Sequence, residues 1–425
     1  MKKYNSLIFI MLFVPFNSHA TEIITGPESF EFHGYFRGGL GLSESGNTQA
    51  VFQAPGARGK YRLGNEPETN MELQLNYNYA MSDSEPDKAY VQGIIMLDGF
   101  KRHGDSNDFA LDHLAQGYLS FNRFFNNDVK LWLGRRYYDR KSIHIMNHYW
   151  LNPGQNSQAG TGIEDIKAGS GKINIALFRY EDDFDLTGTS YLINSTNLDA
   201  RWHSINISEN SMLTLWAGVT SRHDLAALNY KEQSGYGLGA WLDYKALNTK
   251  NTIVLIYQAG AAITQSDFNP NPIREDTGWD LDNATSLEIS NTMTQEFLPN
   301  YSVQWTLLLR HEDRGVAGNS EVDWYSIGAR PIIYFSKHIN LAIEAGVDYV
   351  DDKINSQSGT LSKVTTALQI SASRGFKSRP VLRFFVTVAD WSDEFIGQIG
   401  NTPGDAPYGD DSQGWTIGAQ AEVWW

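Results

Sequence analysis

NMELQLNYNY, residues 70–79, alternates without a break: Met71, Leu73, Leu75, Tyr77 and Tyr79 fall on one face, and Asn70, Glu72, Gln74, Asn76 and Asn78 on the other. Such a period of two describes a strand with one apolar and one polar side. The same alternation runs through 339–349, where Ile339, Leu341, Ile343, Ala345, Val347 and Tyr349 share a face, and through 303–310, where Val303, Trp305, Leu307 and Leu309 do. Fainter versions occupy 172–180, 213–219, 238–244, 252–257, 364–371 and 382–391. Polar stretches rich in Gly, Asn, Asp, Ser and Pro lie between, among them 98–108, 266–278 and 397–413, and read as loops.

Two architectures fit many alternating strands. A secreted β-sandwich or β-helix buries the apolar face, whereas an outer-membrane barrel turns it to lipid and rims it with aromatic girdles. Tyr77, Tyr79, Tyr244, Tyr257, Tyr349 and Trp425 sit at the ends of apolar faces, as girdles require. Residues 1–20 read as an export signal: Lys2 and Lys3 precede the apolar run 7–16, and Ser18, His19 and Ala20 offer a cleavage site. Residues 21–425 then form the barrel, since they hold no apolar stretch near the roughly 20 residues of a helical span. Short turns alternating with longer loops match the two ends of such a barrel.

Composition removes other classes. No cysteine is present, so neither disulfides nor a thiolate site enter. The formal charge is −15, and loss of Lys2 and Lys3 with the signal makes the remainder two charges more acidic, a poor match for nucleic acid. A carboxylate pair for glycoside cleavage could be drawn from Glu72 and Glu422, but lumen carboxylates also bind sugar hydroxyls and no nucleophile motif accompanies them. His144 and His148 have zinc spacing for a helix, yet the flanking pattern is strand or loop and no third ligand is evident. Neither cofactor nor metal is expected.

The end strands carry the functional signal. In 415–425 the apolar face is Trp415, Ile417, Ala419, Ala421, Val423 and Trp425, while Thr416, Gly418, Gln420 and Glu422 share the polar face with Trp424. In 30–37, Tyr35 likewise stands among Glu31, His33 and Arg37. A barrel closes first strand on last, which brings Tyr35 and Trp424 near one another on the lumen wall. Sugars have apolar C–H faces and hydroxyl edges, so a channel selective for them needs aromatic faces flanked by polar groups, each binding weakly enough to release.

The blocks FHGYFRGGLG (32–41), FQAPGARGKYRLGNEPETNMEL (52–73), GRRYYDRKSIHIM (134–146), GTGIEDIKAGSGKINIAL (160–177), SRPVLRFFVTVADW (378–391) and GAQAEVWW (418–425) resemble the maltoporin family. The resemblance implies an all-β transmembrane antiparallel barrel of about 18 strands, embedded in outer-membrane lipid as a homotrimer with long extracellular loops and an inward-folded constriction loop. It implies passive diffusion of maltose and maltodextrins along an aromatic slide flanked by ionisable tracks. Tyr35, Trp391 and Trp424 match slide positions, and Trp391 shares a strand face with Arg383 and Thr387. Arg37, Arg62, Glu72, Arg140 and His144 match track positions, and Tyr149 matches the constriction tyrosine.

Departures from the family pattern are equally specific. Asn70 replaces a slide tyrosine and Asn147 a track aspartate, an arginine is missing near Leu111, and Val51 and Pro67 stand where a cysteine pair is expected. The slide position near Ile253 is aliphatic, and Phe100 is the candidate for an aromatic lent by the second loop to a neighbouring subunit. Sugar selectivity with an altered maltodextrin site is the expectation. A porin for a different oligosaccharide and a general diffusion porin are the same-class alternatives, and an exported carbohydrate-binding protein the alternative outside it. The exposed loops offer a secondary role as a phage receptor. The acidic residues in 181–185 and 405–411 read as solubilising loop charge.

Overall fold

The computed structural model describes residues 21–22, 28–81, 89–123, 128–186, 189–223, 232–265, 280–400 and 407–425. The export-signal assignment and the loop at 266–278 lie outside them. Eighteen antiparallel strands close a barrel. In chain order they are β1 (Glu28–Ser43), β2 (Glu68–Ala80), β3 (Tyr90–Arg102), β4 (His113–Asn122), β5 (Lys130–Arg135), β6 (Ala159–Ala168), β7 (Gly171–Leu186), β8 (Thr189–Ser208) and β9 (Ser211–Arg222). The second half continues with β10 (Gln233–Ala246), β11 (Thr249–Gly260), β12 (Thr285–Phe297), β13 (Tyr301–Asp313), β14 (Glu321–Tyr334), β15 (Ile339–Asp352), β16 (Gln357–Ser371), β17 (Val381–Trp391) and β18 (Gln413–Trp424). A two-residue strand, Thr21–Glu22, pairs beside Glu31 and Phe32.

Each strand pairs with its sequence neighbour, and the ring closes where Tyr35 meets Trp424 and Arg37 meets Glu422 in register. The closure extends one step further, because Gly34 and Trp425 exchange both backbone hydrogen bonds at 3.1 Å. Gly34 is required there: a side chain would overlap the Trp425 ring, which lies across it.

Burial runs opposite to that of a soluble sheet. Along β15, Asn340, Glu344, Asp348 and Asp352 are buried, whereas Ile339, Val347 and Tyr349 are exposed at 45%, 41% and 38%. Polar inside and apolar outside is the solution that lipid demands, because every strand edge is paired and the outer face meets hydrocarbon. The sandwich alternative fails on this observation. The girdle also takes shape, with Tyr325 stacked on Tyr349 at 6.1 Å and Phe30 packed at a tilt against Tyr77 at 4.7 Å.

The apolar core lies inside the barrel. Loop 44–67 folds inward, and so does loop 136–158, whose hairpin Lys141–Ile143 and His148–Leu151 surrounds the 3₁₀ turn His144–Met146. The two are joined backbone to backbone, Lys60 N–H to Met146 O at 2.7 Å and Arg62 N–H to Ile145 O at 3.0 Å. Tyr61 lies flat on the wall over the register pair Gly328 and Gly346, where a methyl on either glycine would overlap its ring, and its hydroxyl pairs with Ser326 Oγ at 2.9 Å. Leu63 is anchored on both sides: its N–H donates to Glu344 Oε1 at 2.8 Å, and its carbonyl accepts from Lys363 Nζ and Thr365 Oγ1.

Three loop assignments are corrected. Residues 98–102 belong to β3, where Glu72 pairs with Asp98 and Asn70 with Phe100; their polarity marks a lumen face, not a loop. Residues 181–185 extend β7, paired in register with β8 through Ser190–Asn194. Gln413 already opens β18.

Candidate functional site

Among the described residues two chambers of about 910 and 490 Å³ lie in the lumen, beside a smaller cavity of about 180 Å³. The larger is lined by eight of the nine residues singled out from sequence: Tyr35, Arg37, Arg62, Glu72, Arg140, His144, Tyr149 and Trp424. Strand parity places Tyr35, Arg37, Glu72 and Trp424, whereas the inward loops deliver Arg62, Arg140, His144 and Tyr149.

The two end-strand aromatics are held rather than merely adjacent. The Tyr35 hydroxyl accepts from Arg37 Nη1 at 2.9 Å and donates to Glu422 Oε1 at 3.2 Å. The Arg379 guanidinium lies over the Trp424 ring, 4.3 Å from its centroid, a cation–π contact that fixes the indole. Beneath them Glu422 gathers three arginines: Arg379 and Arg383, both at 2.6 Å, and Arg62 at 3.5 Å. Glu66 takes Arg37 at 3.1 Å and Arg62 at 3.0 Å, and Arg37 also reaches Glu68 at 2.6 Å. Burial opposes ionisation of Glu66, but Arg37 and Arg62 bring it below the usual carboxylate range. Glu422 is thus committed to structural pairing, which leaves no acid/base pair with Glu72.

His144 is neutral. Burial, followed by the charges of Arg62 and Arg330, holds it well below the usual imidazole range. Arg62 Nη1 lies 3.2 Å from its Nδ1; a guanidinium can only donate, so Nδ1 accepts and Nε2 carries the hydrogen. His148, four residues on, is buried elsewhere and pairs with Glu288 at 2.9 Å, so the two histidines do not form a common ligand set. Among the described residues no group of three His, Asp or Glu side chains is placed to hold a metal.

Trp391 is a correction. Its parity with Arg383 and Thr387 holds, but the ring is 3% exposed and packs on Phe52 and Tyr408 at 6.1 and 5.3 Å, outside the chamber linings. Loop 44–67 covers it, which strand periodicity could not reveal. Phe100 is a second: it lies on β3, not in a loop, and lines its own chamber directly across from Asn70. The aromatic absent at 70 therefore has a ring beside it on the neighbouring strand. Near Ile253, which faces outward, the lumen residues are Thr252 and Val254, so that strand supplies no aromatic there, although Trp241 stands opposite Val254 on the neighbouring strand.

Four side chains escaped sequence reading. Trp150 and Trp241 line the smaller chamber with centroids 5.1 Å apart. Trp241 shares its strand face with Gly235, Gly237, Gly239 and Asp243, the same lone aromatic on a non-apolar face that betrays Tyr35 and Trp424. Phe376 and Lys377 come from the 372–380 turn, which dips into the lumen and packs Phe376 against His144, ring to ring at 6.4 Å. Turns carry no periodicity, so nothing in the pattern signals this.

The profile of the LamB porin family matches residues 30–425. Among solved structures, the outer membrane channel DcaP of Acinetobacter baumannii is 13% identical, with 93% of this chain and 97% of that chain covered and a TM-score of 0.49. OmpF of Salmonella typhi, in complex with daunomycin, is 10% identical over 95% and 100% at 0.48. OmpT of Vibrio cholerae is 9% identical over 95% and 100% at 0.44.

Proposed function

The chain belongs to the LamB porin family of outer-membrane channels, and on that premise we propose that it passes maltose, maltodextrins or closely related oligosaccharides by facilitated passive diffusion. One observation carries the reading: Tyr35 and Trp424, register partners across the closing seam, face one chamber and are ringed by hydrogen-bonding groups. Aromatic faces take the sugar's C–H surfaces, while Arg37, Arg62, Glu72, Arg140 and Tyr149 exchange hydroxyl hydrogen bonds along the edges. In this reading residues 1–20 are removed on export, the channel is a homotrimer, and it transports without chemical change of the sugar. Phe100 takes part of the role of the missing residue-70 aromatic.

Trp424→Ala is expected to raise the maltotriose concentration for half-block of single-channel current about fivefold, as loss of one aromatic contact of about 1 kcal/mol implies. Tyr35→Ala should do the same, and Tyr35→Phe less, since the ring remains. A half-block concentration unmoved by either alanine makes the channel a general diffusion porin instead.

A further inference from the structure

Arg140, His144 and Lys377 line both chambers and so mark the neck between them. None of the three offers an acceptor. Arg140 gives one N–H to Gln155 Oε1 at 3.2 Å and lays its guanidinium over Tyr137 and Tyr149, at 4.2 and 5.7 Å from the ring centroids. His144 has Nδ1 taken by Arg62 and a hydrogen on Nε2. Lys377 is exposed into the lumen, and its charged neighbours are Lys250, Arg379 and Glu296. Neither Arg140 nor Lys377 has a carboxylate within 4 Å among the described residues.

Three nearby carboxylates are already engaged, and two others, Glu72 in the larger chamber near Arg140 and Glu296 in the smaller one near Lys377, stand back from the neck without a salt bridge to either cation. Glu422 holds Arg62, Arg379 and Arg383; Glu66 holds Arg37 and Arg62; Glu344 holds Arg330 and Lys363. Glu296, in the smaller chamber, accepts the Phe376 N–H at 2.8 Å. Where Arg140, His144 and Lys377 meet, the neck is therefore cationic and presents donors only, inside a chain of net charge −15. Neutral sugar hydroxyls both give and take hydrogen bonds, whereas a carboxylate, sulfate or phosphate only takes, and its bonds to cations are roughly twice as strong as neutral ones. A passage walled by low-dielectric protein also focuses the field of its charges on whatever crosses it.

We infer that the neck selects for oligosaccharides bearing an anionic group over neutral glucans, with Arg140 and Lys377 as the selecting residues. The inference rests on the sugar-channel reading above. It is tested with the full-length channel in planar bilayers, using maltotriose against maltotrionate (its reducing end oxidised to a carboxylate) and maltose against maltose 6′-phosphate, which separates carboxylate from phosphate preference. Half-block by at least one anionic sugar is expected at about fivefold lower concentration than its neutral counterpart, maltotriose or maltose. Lys377→Gln should erase most of that difference while moving the neutral sugars little. The wild-type preference should also shrink between about 0.1 M and about 1 M salt, a readout that needs no variant. Equal block by neutral and anionic sugars, or a Lys377→Gln shift common to both, overturns this inference alone. Block by none of the sugars overturns the sugar-channel reading and this inference with it.

Discussion

Replacing Glu422 with glutamine is expected to lower the stability of the folded barrel by about 3 kcal/mol, the scale of breaking a buried ion pair by removing one partner. The carboxylate is 2% exposed and takes Arg379, Arg383 and Arg62, together with the Tyr35 hydroxyl. Glutamine retains the shape and one acceptor but leaves the Arg379 and Arg383 guanidiniums, 4% and 5% exposed, without a counter-charge, and Arg62 with Glu66 alone. The measurement is the temperature at which the compact, fast-migrating form in detergent gels gives way to the unfolded form. Glu422→Asp, which keeps the charge, should recover part of the loss. An unchanged midpoint for Glu422→Gln would mean that solvent in the lumen already screens the cluster.

Gly346→Ala is expected to dislodge loop 44–67, at a cost of about 2 kcal/mol for overpacking a closely fitted contact. The added methyl meets the Tyr61 ring, which is 1% exposed and has wall on one side and loop on the other. Leu63, two residues on, is tied to Glu344, Lys363 and Thr365, so the strain falls between two fixed points. Because Arg62 belongs to the same segment, the displacement should reach the chamber and appear as altered conductance and new protease sensitivity within 50–66. Tyr61→Ala, which creates a cavity instead, should cost about 3–5 kcal/mol and give the same loop phenotype. A Gly346→Ala channel with ordinary conductance and an uncut loop would show that the ring has room to shift.

These two sites also mark what the sequence conveys. Alternation in 70–79, 339–349 and 415–425 contains the barrel, because a lipid-facing strand must write its two faces into every second residue. It contains Tyr35 and Trp424 too, since a lone aromatic on a polar face is itself a parity statement, and by the same rule Trp241 was legible. Arg62, Arg140, His144 and Tyr149 came from the family resemblance, not from periodicity. Trp391 shows the limit: strand parity tells inside from outside but not whether a loop lies on top. Phe376 and Lys377 sit in a turn whose inward course is set by contacts with His144 and Glu296, partners far away in the chain.

The closing seam has a kinetic consequence. Tyr35 and Glu422 are 387 positions apart, yet the hydroxyl of one rests on the carboxylate of the other. So distant a contact forms late in folding, since its loop-closure entropy must be met before any local reward. Neither β1 nor β18 carries the chamber alone, so no half-assembled barrel presents a partial version of it. Sugar block of a single channel would thus report, molecule by molecule, that the last hydrogen bonds of the ring have formed.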